Sequence, residues 1–283
     1  QAQVMHAGQL LLICIGLLWL GNWPSLYAQA SSSPVRMVRA VYPSEWGVQK
    51  RAGLTYSANL NQFFLVKQGP PGDVAAGGST IVALTPYENL VDTVQLDFSV
   101  DNAANAAFDD ANNRLLLLNS QPAELAQIKI GSQGKLDPTT LTRFDLTSFD
   151  LKSADGIDLD RQSHQLFILD RKAQQVVQVT LTASGPDNTT LTKVDLTSLG
   201  FAQLRGLALN PANQHLYAIS KDQNQLVEFT QAGQLVTTYD LTAMQLVAPR
   251  ALVFAPSPDL TDAEDTIHLF VVDSKQADDQ VAN

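Results

Sequence analysis

One phrase is written three times in this chain. "TTLTRFDLTSF" at residues 139–149 returns as "TTLTKVDLTSL" at 189–199 and, abbreviated, as "LVTTYDLTAM" at 235–244. Self-similarity at a spacing near fifty residues marks a chain assembled from stacked supersecondary units, each unable to bury its apolar faces alone. Setting Tyr56, Phe108, Leu159, Leu209 and Phe254 in register extends the repeat to five copies, at intervals of 52, 51, 50 and 45 residues.

Each of those positions closes a short apolar run: "AGLTY", "ANAAF", "DGIDL", "RGLAL" and "RALVF". A second run begins seven residues on in the first four copies, at Phe63, Leu115, Leu166 and Leu216; in the fifth, an eight-residue insertion delays it to Leu269. Third runs follow, such as "QVVQVTL" at 175–181, and the repeated phrase supplies the fourth. Short runs of Val, Leu, Ile, Phe and Thr between Asn, Gly, Asp, Ser and Pro carry strand and turn chemistry, and nothing after residue 30 sustains helical spacing. Four short strands per unit predict an all-β fold, a β-propeller of four-stranded antiparallel blades. The blades fall at about 50–98, 99–149, 150–199, 200–244 and an incomplete 245–283, with "VRMVRAVY" at 35–42 as the closing outer strand. Two closures remain open: a five-bladed ring shut by residues 35–42, or a six-bladed parent of which this chain carries part.

Crowding at a propeller axis explains the small residues Gly53, Gly156, Gly206 and Ala251 in the innermost strands; Asn105 is a polar exception. Asp145, Asp195 and Asp240, in the repeated phrase, are expected to face solvent or cap a blade edge.

Residues 1–30 carry no Lys, Arg, Asp or Glu, and the apolar run "LLLICIGLLWLG" at 10–21 leads to Ala28-Gln29-Ala30. That pattern predicts a signal-peptide helix over 1–30, a mature chain from Ser31 that is secreted or periplasmic, and no membrane span in that mature chain. The lone Cys14 lies in the leader, so the mature chain has no cysteine. The net charge of −10 falls wholly outside the leader. The lack of a basic cluster argues against nucleic acid and anionic membrane surfaces as partners.

In propellers, the loops between blades and those joining second to third strands meet on one face around the channel. Arg51, Ala104, Asp155, Arg205 and Arg250 open the inner strands, while Lys67, Asn119, Asp170, Ser220 and Asp273 end the second strands. Arg51, Lys67, Asn119, Asp155, Asp170, Arg205, Ser220, Arg250 and Asp273 therefore form the candidate ligand-binding set, with arginine suited to bidentate recognition of carboxylate or phosphate. The plainer alternative is mutual neutralisation of the acids by Arg205 and Arg250. The Gly/Pro loop "QGPPGDVAAGGST" at 68–80 lacks the Lys of a phosphate-cradling loop and reads as a flexible insertion. Asp259, Asp262, Glu264 and Asp265 concentrate oxygen ligands of the kind Ca²⁺ takes, but their spacing matches no EF-hand loop and reads as a solvated acidic turn. His164, His215 and His268 precede second strands of three different blades, which keeps them apart and argues against a shared zinc site. Motifs for a nucleophile elbow, a zincin helix or a redox pair are absent, and no cofactor is expected.

The units "DGIDLDRQSHQLFILDRKAQQVVQV" at 155–179 and "RGLALNPANQHLYAISKDQNQLVEF" at 205–229 resemble blades of NHL-type six-bladed propellers. They are also similar to the secreted bacterial propellers grouped as SdiA-regulated and to esterase-like phytase-type domains. The resemblance covers about residues 35–283 and specifies the blade, not a reaction. Distant relatives, the gluconolactonases, hold a divalent metal in the channel through a Glu and Asn/Asp residues; "RAGLTY" here lacks that Glu. The expectation is an extracytoplasmic binding or scaffold module taking a small polar or anionic ligand, or a protein, at the channel mouth. The alternatives are a metal-dependent hydrolase of lactonase or phosphoesterase type, with Asp155, Asn105, Asn119 and Asp170 as ligands, and a spacer with no ligand.

Overall fold

In the computed structural model, which describes residues 33–34, 52–69, 78–100, 106–120 and 122–273, the repeats become sheets whose strands are hydrogen-bonded in chain order. After a two-residue strand β1 (Ser33–Pro34), the first blade is β2 (Ala52–Ser57), β3 (Gln62–Lys67), β4 (Thr80–Leu84) and β5 (Leu90–Gln95). The second is β6 (Ala106–Asp109), β7 (Arg114–Ser120), β8 (Ala123–Ile130) and β9 (Leu136–Asp145), and the third β10 (Ala154–Leu159), β11 (Gln165–Asp170), β12 (Gln175–Thr182) and β13 (Gly185–Asp195). The fourth comprises β14 (Leu204–Leu209), β15 (Leu216–Ser220), β16 (Gln225–Phe229) and β17 (Leu235–Asp240), with β1 added in parallel along β17. β18 (Pro249–Pro256) and β19 (Ile267–Asp273) are the described strands of a fifth blade. Residues 35–42, expected as a closing strand, lie outside the described residues.

A blade has neighbours on both faces, so its middle strands read as unbroken apolar runs rather than alternating ones. "LLLLN" and "LFILD" are buried residue after residue for this reason. One apolar layer separates each pair of neighbours. Phe64, Val66, Phe108 and Leu117 fill the first-to-second layer, Leu116, Phe149, Ile157 and Leu166 the second-to-third, and Phe167, Leu169, Leu207 and Phe229 the third-to-fourth. Tyr217, Ile219 and Leu252 join fourth to fifth. The layer between fifth and first, built from Tyr56, Phe63, Leu65, Val253, Val272 and Phe270, answers the question of closure. β18 packs on β2 as β2 packs on β6, so five inner strands shut the ring.

The inner strands approach closely because they carry glycine. A Cβ on Gly156 would lie 2.5 Å from the Leu207 nitrogen, and one on Gly206 would lie 3.0 Å from the Arg250 carbonyl oxygen. Gly206 also holds a φ of +64°, which few other residues adopt without strain.

The repeated phrase is the exit from each blade. The Asp195 carboxylate accepts the Thr197 N–H (2.8 Å) and hydroxyl (2.9 Å); Asp145 does the same with Thr147, and Asp240 accepts the Thr242 N–H (2.8 Å). These bonds hold all three carboxyls below the usual carboxylate range. The intervening Leu146, Leu196 and Leu241 are buried as anchors, and a one-turn 3-10 helix then ends in a left-handed residue, Asp150, Gly200 or Gln245. The expected solvent-facing capping aspartates are therefore turn caps.

The axial packing predicts a contrast between two Gly→Ala changes. Gly156→Ala should cost about 1–3 kcal/mol through overpacking against backbone, whereas Gly131→Ala, whose Cβ would meet its neighbours only at 3.5 Å and beyond, should be neutral or slightly stabilising. Urea denaturation of the two variants measures the difference.

Candidate functional site

Inner strands begin, and second strands end, on one face of the ring, and the register shows how charged residues come to stand there. β2 pairs with β3 without interruption from Ala52 opposite Lys67 to Ser57 opposite Gln62. The three later inner strands slip: β10 between Ala154 and Ile157, β14 between Arg205 and Ala208, β18 between Pro249 and Ala251. Such bulges re-aim side chains and bend the strand that carries them. Asp155, Arg205 and Arg250 each sit at one of these bulges. The glycine contacts set the bulges against one another, so the three residues follow one arc of the opening on consecutive blades. Arg51 and Asn105 lie outside the described residues.

Two predicted acids are committed to the backbone. Asp170 is fully buried and accepts the N–H groups of Lys152 (2.7 Å), Ser153 (2.9 Å) and Ala173 (3.4 Å). Asp273 accepts those of Val247 (2.9 Å) and Ala248 (2.6 Å). Each clamps the segment that feeds its own blade's inner strand. Ser220 is the buried counterpart in the fourth blade. Asn119 donates to Glu124 (3.2 Å), which also accepts Arg143 (2.6 Å), itself stacked 4.3 Å above the Phe98 ring.

Asp155 is paired, but with a residue outside the predicted set. Arg171 donates Nε to Asp155, Nη1 to Gln203 (2.9 Å) and Nη2 to Ser153 (3.2 Å), which locks its guanidinium. Its position was readable: Arg171 follows "LFILD" as Lys221 follows "LYAIS". In the fourth blade no acid takes the place of Asp155. The half-buried side chains of Arg205 and Lys221, and that of Lys67 in the first blade, have no hydrogen-bond or ion-pair partner among the described residues. A net-acidic chain thus gathers uncompensated cations on one face.

At the opposite end of the ring, polar contacts bridge the first three blades. Asp110 accepts the Ser57 hydroxyl (2.6 Å) and the Asn59 N–H (3.2 Å) and pairs with Arg161 (3.0 Å), whose Nη2 reaches the Tyr56 carbonyl (2.9 Å). Nearby, fully buried Arg114 joins Asp109 (2.7 Å) to the carbonyls of Thr182 (2.6 Å) and Ala183 (3.1 Å), stapling the second blade to the third. Neither arginine was singled out from sequence, because an arginine's burial depends on partners far along the chain.

The set Asp155, Asn105, Asn119 and Asp170 does not fit a metal ion: Asp170 is filled by N–H donors and Asp155 by a guanidinium. Among the described residues no group of three or more His, Cys, Asp or Glu is spaced to hold one. In the acidic turn, Asp259 caps Thr261 and Asp262 accepts the Ser257 hydroxyl (2.6 Å). His215 pairs with Glu228 (2.6 Å) and His268 with Asp262 (3.4 Å), in different blades.

A family model described as SdiA-regulated matches residues 46–248. No curated protein matches the chain in sequence. Among solved structures the chain is similar to one from a nidogen/laminin complex, at 15% identity and a TM-score of 0.49, covering 72% of this chain and 69% of that one. It is similar to the periplasmic gluconolactonase of Pseudomonas aeruginosa, at 14% identity and 0.48, covering 78% and 65%. A putative 6-phosphogluconolactonase from Bacteroides uniformis matches at 15% and 0.43, covering 66% and 56%. The chain thus spans less than two thirds of either lactonase.

One half-buried acid on an inner strand predicts a pH dependence. Asp158 accepts the N–H groups of Leu159 (2.8 Å) and, across the blade boundary, Leu209 (2.7 Å), yet burial outweighs both bonds and pushes its carboxyl up to about 6. A raised carboxyl binds its proton in the folded state first, so its contribution to stability grows as pH falls through about 6 and levels off below about 4. The stability of the wild type relative to Asp158→Asn should therefore rise between pH 7 and pH 5 in thermal melts; a constant difference would show an ordinary carboxylate.

Proposed function

The chain belongs to the SdiA-regulated family, and from that premise we propose that it is an extracytoplasmic binding module whose channel mouth takes a small anionic ligand, a carboxylate or a phosphate. The observation that carries this reading is the state of Arg205. Arg205 is half-buried on a bulged inner strand, its neighbour Gly206 lies against the backbone of Arg250 on the following blade, and its side chain has no acidic partner among the described residues. Partial burial of an unpaired guanidinium is unfavourable, and an anion accepting its forked N–H donors relieves that cost. Lys221 and Lys67 add positive charge on the same face.

Binding is favoured over hydrolysis because the carboxylates a hydrolase would use are already engaged, Asp170 by backbone and Asp155 by Arg171. An uncharged leader ending in Ala28-Gln29-Ala30 supports a place outside the cytoplasm.

Calorimetric titration of the purified protein with acetate, succinate, citrate and inorganic phosphate tests the reading. At least one anion should bind, and Arg205→Ala should weaken it by about tenfold or more, the size of a lost charge-assisted hydrogen bond. Lys221→Ala should weaken it less. If none of the four binds, or Arg205→Ala leaves the affinity unchanged, the mouth is not an anion site.

A further inference from the structure

The cations without partners at the mouth stand on two sides of a single blade. Arg205 lies opposite Ile219 across β14 and β15, and residues opposite one another share a face of the sheet. Ile219 packs with Leu252 in the layer between the fourth and fifth blades, so Arg205 stands on the side of the fourth blade that looks at the fifth. In the first blade, β3 pairs with β2 without interruption, and Lys67 falls in step with Phe63 and Leu65. Those two pack against Val253 and Phe270 of the fifth blade, so Lys67 looks at the same blade from its other side. Both residues are half-buried at the mouth end of their strands, and Lys221 directly follows the mouth end of β15.

What the fifth blade sets between them is apolar or already bonded. Asp273, at the mouth end of β19, gives its two carboxylate oxygens to the N–H groups of Val247 (2.9 Å) and Ala248 (2.6 Å). Val247, fixed by that bond, leaves its side chain 43% exposed. Elsewhere on this face acids take up the cations, Asp155 holding Arg171 and Glu124 holding Arg143. Positive charge is thus left at two stations with an apolar side chain on the blade between them.

The spacing of the stations selects the shape of the ligand. Packed sheets lie about 10 Å apart, so the fourth and first blades stand about 20 Å apart across the fifth. The gap narrows toward the axis, where Gly206 admits the backbone of Arg250. An arginine and a lysine reaching inward from the two sides leave a few ångströms between their charged heads. One carboxylate or phosphate is too compact to meet both; a short chain with an anionic group at each end meets both and lays its methylenes toward Val247. Resting on the anion reading above, we propose that the mouth takes a linear dicarboxylate, one end held by the forked donors of Arg205 with Lys221 beside it, the other by Lys67.

Calorimetric titration of the whole protein with acetate, malonate, succinate, glutarate, adipate and inorganic phosphate tests this, with thermal melts to show that each variant is folded. The best of the three longer diacids should bind about tenfold or more tighter than acetate, the gain from a second charge-assisted contact. Malonate, with the same charge on a shorter spacer, should fall between them. Lys67→Ala should weaken the best diacid about tenfold and acetate far less; Lys67→Arg should keep the preference, and Arg205→Ala should weaken both ligands. The dicarboxylate inference fails alone, and the anion site stands, if acetate, malonate or phosphate binds as tightly as the best longer diacid. It also fails alone if Lys67→Ala weakens acetate and the diacid equally, or neither, while Arg205→Ala still weakens binding. If none of the six binds, both readings fall.

Discussion

The contact on which the molecule depends is backbone against backbone at the axis. Gly156 admits the main chain of Gly206 and Leu207, and Gly206 admits that of Arg250. Any side chain there would push neighbouring blades apart and open the apolar layers between them. The same closeness sets the polar chemistry, because residues at equivalent places in consecutive repeats, some fifty apart in sequence, become neighbours around one opening.

What those neighbours do is decided by hydrogen-bond accounting. A buried carboxylate is tolerated only when its oxygens are satisfied. Asp170 and Asp273 meet that demand with backbone N–H groups, and Asp155 with Arg171. The fourth blade has Ser220 where the third and fifth have an aspartate and Lys221 where the third has an arginine, and among the described residues nothing neutralises Arg205. At the far end of the channel Asp110 is paired with Arg161. One repeat that departs from its siblings thus turns a structural ring into a polarised one.

Much of this architecture was legible. Strand lengths, the unit of four and the small axial residues follow from local composition and from periods that a reader can count. The capping aspartates were legible in place but not in purpose, since "DLT" shows an acid beside a threonine without showing that the acid receives two bonds from it. Closure was not legible at all: it rests on Phe63 meeting Phe270 across more than two hundred residues. The bulges were equally hidden, because a register slip depends on what the partner strand presents. Arg171 directly follows Asp170, the last residue of a second strand.

The claim that five inner strands shut the ring, and so bring the bulges to one mouth, is tested most directly by a double-mutant cycle on Phe63 and Phe270. Their ring centroids lie 4.8 Å apart only because the fifth blade meets the first. Leucine substitutions, singly and together, followed by urea denaturation, should give a coupling of about 0.5–1.5 kcal/mol, the range for touching aromatic pairs. Strict additivity of the two substitutions would mean that the first and fifth blades do not touch.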